Sequence, residues 1–153
     1  MANTYTQLYV QIIFSPLGRQ NLIHNRIKND IYKYIAGIIK KKNQKPMIIN
    51  GMPDHVHILL GFSPDIAISD LVRDIKSNST NFINDNKIIA GKFSWQKGFG
   101  AFTYSKSQVP RIVKYIENQE EHHRIKTFKE EYLELLNKFG VEYKSQYLFD
   151  WFE

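Results

Sequence analysis

The order of strand-like and helix-like segments constrains the fold of this chain more than any other feature. Segments rich in aromatic and β-branched residues alternate with segments whose apolar residues recur at helical spacing. The resulting order, β-α-β-β-α-β followed by further helices, is the split βαβ pattern. It predicts an α+β fold with a ferredoxin-like antiparallel sheet flanked by helices. No repeat or Gly/Ser-rich linker interrupts the sequence, so we expect residues 1–153 to form a single domain.

The individual elements are predicted from local hydrophobic patterns and from the turn and capping residues that bound them. The second and third strands flank a proline-containing turn at residues 51–54, which indicates a hairpin. Ser69 is placed where it could cap the second helix. The predicted strands are residues 5–15, 46–50, 55–62 and 93–104, and the predicted helices are residues 24–42, 69–86, 107–124 and 128–139.

Composition limits the chemistry that the chain can use. The absence of cysteine excludes disulfides, thiolate zinc sites and cysteine nucleophiles, so a metal ion must be held by His, Asp, Glu or amide oxygen. No apolar run approaches the roughly 18 residues of a membrane span. We therefore expect a soluble, cytoplasmic protein.

The positive charge is concentrated in the first third of the chain. Residues 1–50 contain eight Lys and Arg against one acidic residue, whereas residues 101–153 contain eight against nine. A one-sided basic surface suits a polyanion, because each neutralised phosphate releases condensed counterions. A lysine-rich solvated surface explains the same composition, so charge alone leaves both interpretations open.

Two histidines, His55 and His57, flank Val56 in the third predicted strand. Residues at i and i+2 of a strand project from the same face, with Cα atoms roughly 6.5 Å apart, so both imidazoles can reach one ion. Leu59 continues this face without a third imidazole. A lone pair of this kind is more often structural, and a metal site needs at least one further ligand.

A second group of polar residues lies in the predicted helix 107–124. Tyr115 and Gln119 are four residues apart and therefore lie one turn apart on one helix face. A tyrosine can form covalent intermediates, and an ion held by two imidazoles and one amide oxygen keeps positions open for a phosphate oxygen. Taken alone, the pattern favours a packing role for Tyr115. His122 and His123 could supply a ligand instead, or contact the last carbonyls of the helix.

Three segments together resemble the single-tyrosine HUH transposases of small bacterial insertion sequences. They are MPDHVHILL at residues 52–60, WQKGFGAF at residues 95–102 and VKYIENQEEHH at residues 113–123. The segments follow in the order and spacing of that family, and the resemblance covers nearly the whole chain. It implies the HUH endonuclease fold, with the catalytic tyrosine on the C-terminal helices.

The resemblance also implies roles for individual residues. His55 and His57 correspond to the two HUH metal ligands, Gln119 to the third ligand and Tyr115 to the nucleophile. The implied ion is Mg²⁺ or Mn²⁺, although imidazoles by themselves equally suit zinc or nickel. The implied reaction is cleavage and rejoining of single-stranded DNA at insertion-sequence ends, through a 5′-phosphotyrosine intermediate and release of a 3′-hydroxyl.

The partners implied by the resemblance are single-stranded DNA with hairpins at the element ends and a second copy of the chain. Active sites in the resulting homodimer are shared between subunits. We expect phosphate contacts from basic residues of the first and second helices. These residues are Lys40, Lys41, Lys42, Arg73 and Lys76.

Other enzyme classes fit the same residues poorly. A histidine-triad hydrolase needs a third histidine where Leu59 stands, and a two-motif phosphoesterase needs a second His-x-Ser/Thr motif. Neither a Walker loop nor a Gly-rich dinucleotide fingerprint occurs. Two alternatives stay open: a domesticated relative that acts on chromosomal repeat hairpins, and a DNA-hairpin-binding module that has lost catalysis.

Overall fold

A computed structural model describes residues 3–151 of the chain, so residues 1–2 and 152–153 of the predicted domain lie outside the described residues. Within the described residues, four strands and five α-helices form one mixed α+β unit. The strands are β1 (Leu8–Phe14), β2 (Lys45–Met52), β3 (His55–Phe62) and β4 (Gly100–Tyr104). The helices are α1 (Lys28–Lys41), α2 (Ile68–Asp85), α3 (Val109–Glu117), α4 (Gln119–His122) and α5 (Phe128–Lys138).

The four strands form one antiparallel sheet in the order β2-β3-β1-β4. The two central strands, β1 and β3, are not joined by a hairpin, and α1 and β2 lie between them in sequence. This is the split βαβ arrangement, which confirms the predicted ferredoxin-like sheet flanked by helices.

Side-chain alternation gives the sheet two different faces. Val10, Ile12 and Phe14 are buried on one face, where Lys76 of α2 lies 5.3 Å from the centre of the Phe14 ring. Gln11 and Ile13 project from the opposite face. The register pairs Ile13 with His57, which therefore lies on that same face. Helices α1 and α2 cover the first face, and the C-terminal helices lie over the second. The candidate site is therefore enclosed between the sheet and the C-terminal part of the chain.

The fourth strand is shorter than the predicted segment 93–104. It begins only at Gly100, and of the preceding residues Trp95 forms an isolated antiparallel bridge with Pro16. Trp95 packs edge-on against Phe14 with ring centroids 4.7 Å apart. Lys76 Nζ donates to the carbonyl oxygens of Gln96 and Gly98 at 2.9 and 2.6 Å, and Gly98 has a φ of +86°. These carbonyls are thus withdrawn from strand pairing.

Three helix predictions also differ from the structure. Helix α1 begins at Lys28 rather than at residue 24, because residues 25–27 form a turn. Helix α2 starts at Ile68 after an extended Ala67, so Ser69 lies inside the helix and does not cap it. The predicted helix 107–124 is divided into α3 and α4 at Asn118. The Asn50 side chain on β2 donates to the carbonyl oxygens of Ile116 and Glu117, at 2.9 and 3.2 Å. A side chain from the sheet is therefore hydrogen-bonded to the backbone carbonyls at the point where the helix is interrupted.

Within residues 3–151, no helix combines the length and apolar character needed to cross a membrane.

Candidate active site

His55 and His57 lie on the same face of β3, as their spacing predicts. Both side chains are fully buried, and their ring centroids are 5.0 Å apart. Val56 projects to the other face and is buried in the core beneath α1 and α2. The strand therefore supplies two imidazoles from a rigid element to one enclosed point.

Each imidazole is oriented through its Nδ1 atom by a neighbouring polar side chain. Asp54 Oδ1 accepts from His55 Nδ1 at 2.7 Å, and the Gln11 amide nitrogen lies 2.8 Å from His57 Nδ1. Tyr104 donates in turn to Gln11 Oε1 at 2.6 Å. Partners of this kind fix the ring orientation of metal-binding histidines, and here they direct both Nε2 atoms into the site.

Gln119 and Tyr115 reach the same point from α4 and α3. Gln119 Oε1 lies 2.9 Å from His55 Nε2, and the Tyr115 ring packs edge-on against His57 with centroids 5.7 Å apart. The break at Asn118 does not separate the two residues. All four residues that sequence reasoning selected for chemistry thus meet within one chain.

Glu131 is a site residue that sequence reasoning did not select. It lies on α5 with 2% of its side chain exposed, and both of its carboxylate oxygens face the site. Oε1 lies 3.1 Å from His57 Nε2, whereas Oε2 accepts from the Tyr115 hydroxyl and from the Gln119 amide. Glu131 therefore contacts both the imidazoles and the tyrosine.

His122 and His123 border the same carboxylate. His123 Nε2 lies 3.1 Å from Gln119 Oε1 and 3.1 Å from Glu131 Oε1, while His122 Nε2 lies 3.4 Å from Glu131 Oε2. The His123 Nδ1 atom faces the Lys126 carbonyl oxygen at 2.6 Å. Both histidines face the site rather than only the end of a helix.

The charges of the site are set by these contacts. Burial disfavours the imidazolium form of His55, but hydrogen bonds with Asp54 and Glu131 outweigh it and raise its pKa to about 9. Burial lowers the pKa of His57, despite the nearby Glu131. Burial raises the pKa of Glu131, yet the imidazoles, led by His57, hold it far below its usual range. An imidazolium and a carboxylate therefore face one another at neutral pH.

Tyr115 is held in its neutral form by the same surroundings. Burial, followed by the negative charge of Glu131, raises the pKa of its hydroxyl well above the usual range. The phenol is therefore a hydrogen-bond donor to Glu131, and an added positive charge nearby would favour loss of its proton.

The buried donor set fits a divalent ion. His55, His57 and Glu131 each offer one ligand atom, and these atoms lie within 4.8 Å of one another. The Gln119 oxygen lies beside His55 Nε2 in the same space. Imidazole nitrogen and carboxylate or amide oxygen are ligands for several first-row divalent ions and Mg²⁺, so the donors fit a metal without selecting one.

A cavity of about 230 Å³ leads to Tyr115 and Glu131 from the surface. Arg111 and Lys138 also line it, which adds two cations beside the tyrosine. Tyr115 is therefore half-buried and borders a cavity with two nearby cations.

The predicted DNA-binding residues lie elsewhere, on α1, the residue after it and α2. Lys40 and Lys41 are exposed at the end of α1. Lys42 Nζ pairs with Asp74 at 2.9 Å, and the Arg73 guanidinium pairs with Asp70 at 3.1 Å. Lys76 is engaged with backbone carbonyls. The structure therefore does not bring this basic group together with the histidine and tyrosine cluster.

Comparisons with known proteins agree with this architecture. A family model described as "Transposase IS200 like" matches residues 4–119. The ISDra2 transposase TnpA of Deinococcus radiodurans is 27% identical over 119 residues, which covers 74% of this chain and 84% of that protein. Glu131 lies beyond the segment that the family model matches.

Two solved structures share the fold. One is a crystal structure of a candidate transposase from Deinococcus radiodurans R1, with a TM-score of 0.60, 23% identity and coverage of 76% of this chain and 94% of the other. The second is a REP-associated tyrosine transposase bound to a REP hairpin, with a TM-score of 0.60, 15% identity and coverage of 79% and 72%. Because the family model spans most of the sequence, from strand β1 to Gln119, the chain belongs to the IS200-like transposase family.

Proposed function

We propose that this chain is a metal-dependent endonuclease and strand transferase for single-stranded DNA at insertion-sequence ends. The observation that carries the proposal is the convergence of His55, His57 and Gln119 on one buried point, with Tyr115 beside it on the wall of a cavity. Two imidazoles and an amide oxygen can hold an ion, and a phenol beside them can act as a nucleophile.

Tyr115 is the proposed nucleophile. As its oxygen bonds to phosphorus, the bond between phosphorus and the 3′ oxygen breaks, which leaves a 5′-phosphotyrosine and, after the leaving oxygen takes a proton from solvent, a 3′-hydroxyl. Glu131 Oε2 accepts the Tyr115 hydrogen bond and so orients the phenol, whose proton passes to solvent in the adjoining cavity as the new bond forms. Rejoining is the reverse reaction with a new 3′-hydroxyl, so no nucleotide cofactor is required.

His55, His57 and Gln119 are the proposed ligands of Mg²⁺ or Mn²⁺. A bound ion would supply positive charge that polarises the scissile phosphate and offsets the carboxylate beside Tyr115. Asp54 and Gln11 would hold the two imidazoles in position through their Nδ1 atoms.

Hairpin DNA and a second subunit are the proposed partners. The structural relative bound to a REP hairpin supports a hairpin ligand for this fold. Arg111 and Lys138 are placed to contact the strand near the scissile phosphate, and Lys40, Lys41, Lys42, Arg73 and Lys76 are proposed for more distant phosphates. The proposed homodimer shares its sites through exchange of α3 and α4, which short connections at residues 105–108 and 123–127 join to the rest of the chain.

The direct test is incubation of the protein with hairpin-containing single-stranded DNA from the flanks of its own gene, with Mg²⁺ or with EDTA. We expect Mg²⁺-dependent cleavage, a free 3′-hydroxyl and a covalent protein–DNA adduct. Tight hairpin binding without cleavage at any divalent ion would instead favour an inactive hairpin-binding module.

A further inference from the structure

The position of Glu131 in the site depends on a part of the chain outside the family match. The matching segment ends at residue 119, and Glu131 lies on α5. Its Oε1 atom lies 3.1 Å from the Nε2 atoms of His57 and His123 and 3.4 Å from that of His55. Three imidazole nitrogens from two different regions of the chain therefore converge on one carboxylate oxygen.

The packing of α5 fixes this carboxylate in place. Thr127 accepts a hydrogen bond from the Glu130 backbone and begins the helix with a capping box. Phe128 stacks on the His55 ring, with centroids 4.1 Å apart and planes 2° from parallel. Tyr132 packs against Phe149, with centroids 5.2 Å apart. Glu131 therefore reaches the site from a helix that is anchored on both sides of it.

The spacing of the donor atoms matches that of ligands around one ion. Two donors bound at right angles to a six-coordinate Mg²⁺, each at about 2.1 Å, lie about 3.0 Å apart. The His55 Nε2 to Gln119 Oε1 distance is 2.9 Å, and Glu131 Oε1 lies 3.1 and 3.4 Å from the Nε2 atoms of His57 and His55. Three donor pairs therefore already lie close to the separation of adjacent ligands around one ion.

We propose that Glu131 is itself a ligand of the divalent ion, bound through Oε1, beside His55, His57 and Gln119. This inference rests on the proposed function, because it needs the ion at the two histidines. A carboxylate adds a negative charge that two imidazoles and an amide lack, so it should strengthen binding of a hard divalent cation. The ion would also attach α5 to the sheet, since its ligands would come from β3, α4 and α5.

Mn²⁺ binding to the full chain tests the proposal without reference to DNA cleavage. Free Mn²⁺ is measured by its electron paramagnetic resonance signal during titration of the wild type, Glu131→Gln, Glu134→Gln and His57→Ala. Glu134 lies on the same helix with 61% of its side chain exposed, so Glu134→Gln is a matched loss of charge. We expect Glu131→Gln to weaken Mn²⁺ binding at least about tenfold, with Glu134→Gln unchanged.

Two results would overturn the proposal, and they are distinguishable. Wild-type affinity in Glu131→Gln, together with lost binding in His57→Ala, shows an ion at the histidines that Glu131 does not bind. Wild-type affinity in His57→Ala shows that the ion lies elsewhere, which removes the proposed metal centre as well.

The Glu131→Asp variant distinguishes a carboxylate that binds the ion from one that only places a negative charge nearby. It also replaces Glu131→Gln as the test if that variant does not fold. Aspartate keeps the charge but withdraws the carboxylate by one methylene group. The visible absorption bands of bound Co²⁺ report the donor set, so we expect them to change in Glu131→Asp relative to the wild type. Identical bands would show that the carboxylate is outside the coordination sphere.

Discussion

His55 Nε2 lies 2.9 Å from Gln119 Oε1, although 64 residues separate the two in sequence. The contact joins the central strand β3 to the short helix α4, and it places the helix break at Asn118 directly beside the histidine pair. The amide oxygen that the family resemblance implies as a third ligand therefore lies beside the imidazoles that are proposed to hold the ion.

Removal of the ion or of one imidazole should stop cleavage and leave DNA binding nearly intact. His57→Ala removes a proposed ligand, whereas hairpin affinity should come from phosphate and base contacts outside the metal site. We expect the cleavage rate to fall by at least about 100-fold, because loss of a residue that only supports a metal ligand already lowers activity by about 10–100-fold. Oligonucleotide cleavage and equilibrium hairpin binding measure the two effects, and full activity of the wild type in EDTA would exclude a metal mechanism.

The basic residues at the end of α1 should make DNA affinity depend on salt. For the variant with Lys40, Lys41 and Lys42 changed to Gln, we expect the slope of log affinity against log salt to flatten by roughly 0.7–0.9 per lost contact. Lys40 and Lys41 should account for most of the effect, because Lys42 is paired with Asp74.

A matched control for this measurement removes the same charge from another surface. Lys87 and Lys92, between α2 and β4, and Lys144, after α5, are exposed, and their replacement by Gln should alter the slope less. An identical slope in the α1 variant and the wild type would remove the lysine cluster from the DNA-binding surface.

The pKa of His55 predicts how pH affects stability without metal. Because its folded pKa is raised to about 9 from 6.5, His55 contributes stability that is fully present below about pH 6.5 and lost as pH rises through about 9. Asp54→Asn removes the first of the interactions that raise this pKa. In EDTA, the free energy of unfolding of the wild type should exceed that of Asp54→Asn at pH 6, and the difference should shrink toward pH 9.

Denaturant unfolding at several pH values measures this difference. His57 titrates with the opposite sign, because its pKa is lowered, but its contribution largely cancels in the comparison of the two proteins. A difference that grows between pH 6.5 and 9 would contradict the assignment of a charged His55 in the folded protein.

Subunit mixing tests the proposed sharing of active sites. Within one chain, Tyr115 lies against its own His57, so a shared site requires exchange of α3 and α4 between subunits. We expect mixed dimers of Tyr115→Phe and His57→Ala chains to regain cleavage, because the intact tyrosine of one meets the intact histidines of the other. If the mixture stays inactive after exchange is verified by differential labelling, each site is formed within one chain.

Local patterns predicted the sheet and which candidate residues share a face, because these depend on residues that are close in sequence, whereas the roles of those residues came from the family resemblance. The spacing of His55 and His57 determines a shared strand face whatever surrounds it, and Tyr115 and Gln119 remain neighbours across the break at Asn118. The break coincides with a contact from Asn50, which lies on β2 and reaches α3 only in the folded chain. No local pattern in residues 107–124 contains that information.

Glu131 was missed because its role depends on how α5 packs on the sheet. One signal was available in the sequence: Glu131 lies on the same helix face as Phe128 and Leu135, among apolar residues that a helix normally buries. A carboxylate on such a face requires buried partners, and the histidines supply them. The segment 93–99 shows a related limit, since side chains of another element, Lys76 and Asn84 of α2, hold it through hydrogen bonds.

The central claim is that Tyr115 forms the covalent bond to DNA, and peptide mapping of the adduct tests it most directly. Trypsin cleavage after Lys114 and Arg124 releases residues 115–124, in which Tyr115 is the only tyrosine. After reaction with single-stranded DNA and Mg²⁺ and digestion of the DNA, this peptide should carry the added mass of a 5′-linked nucleotide. Tyr115→Phe keeps the ring, so it should fold and bind the hairpin yet form no adduct. An adduct on a different tyrosine, or undiminished cleavage by Tyr115→Phe, would contradict the account.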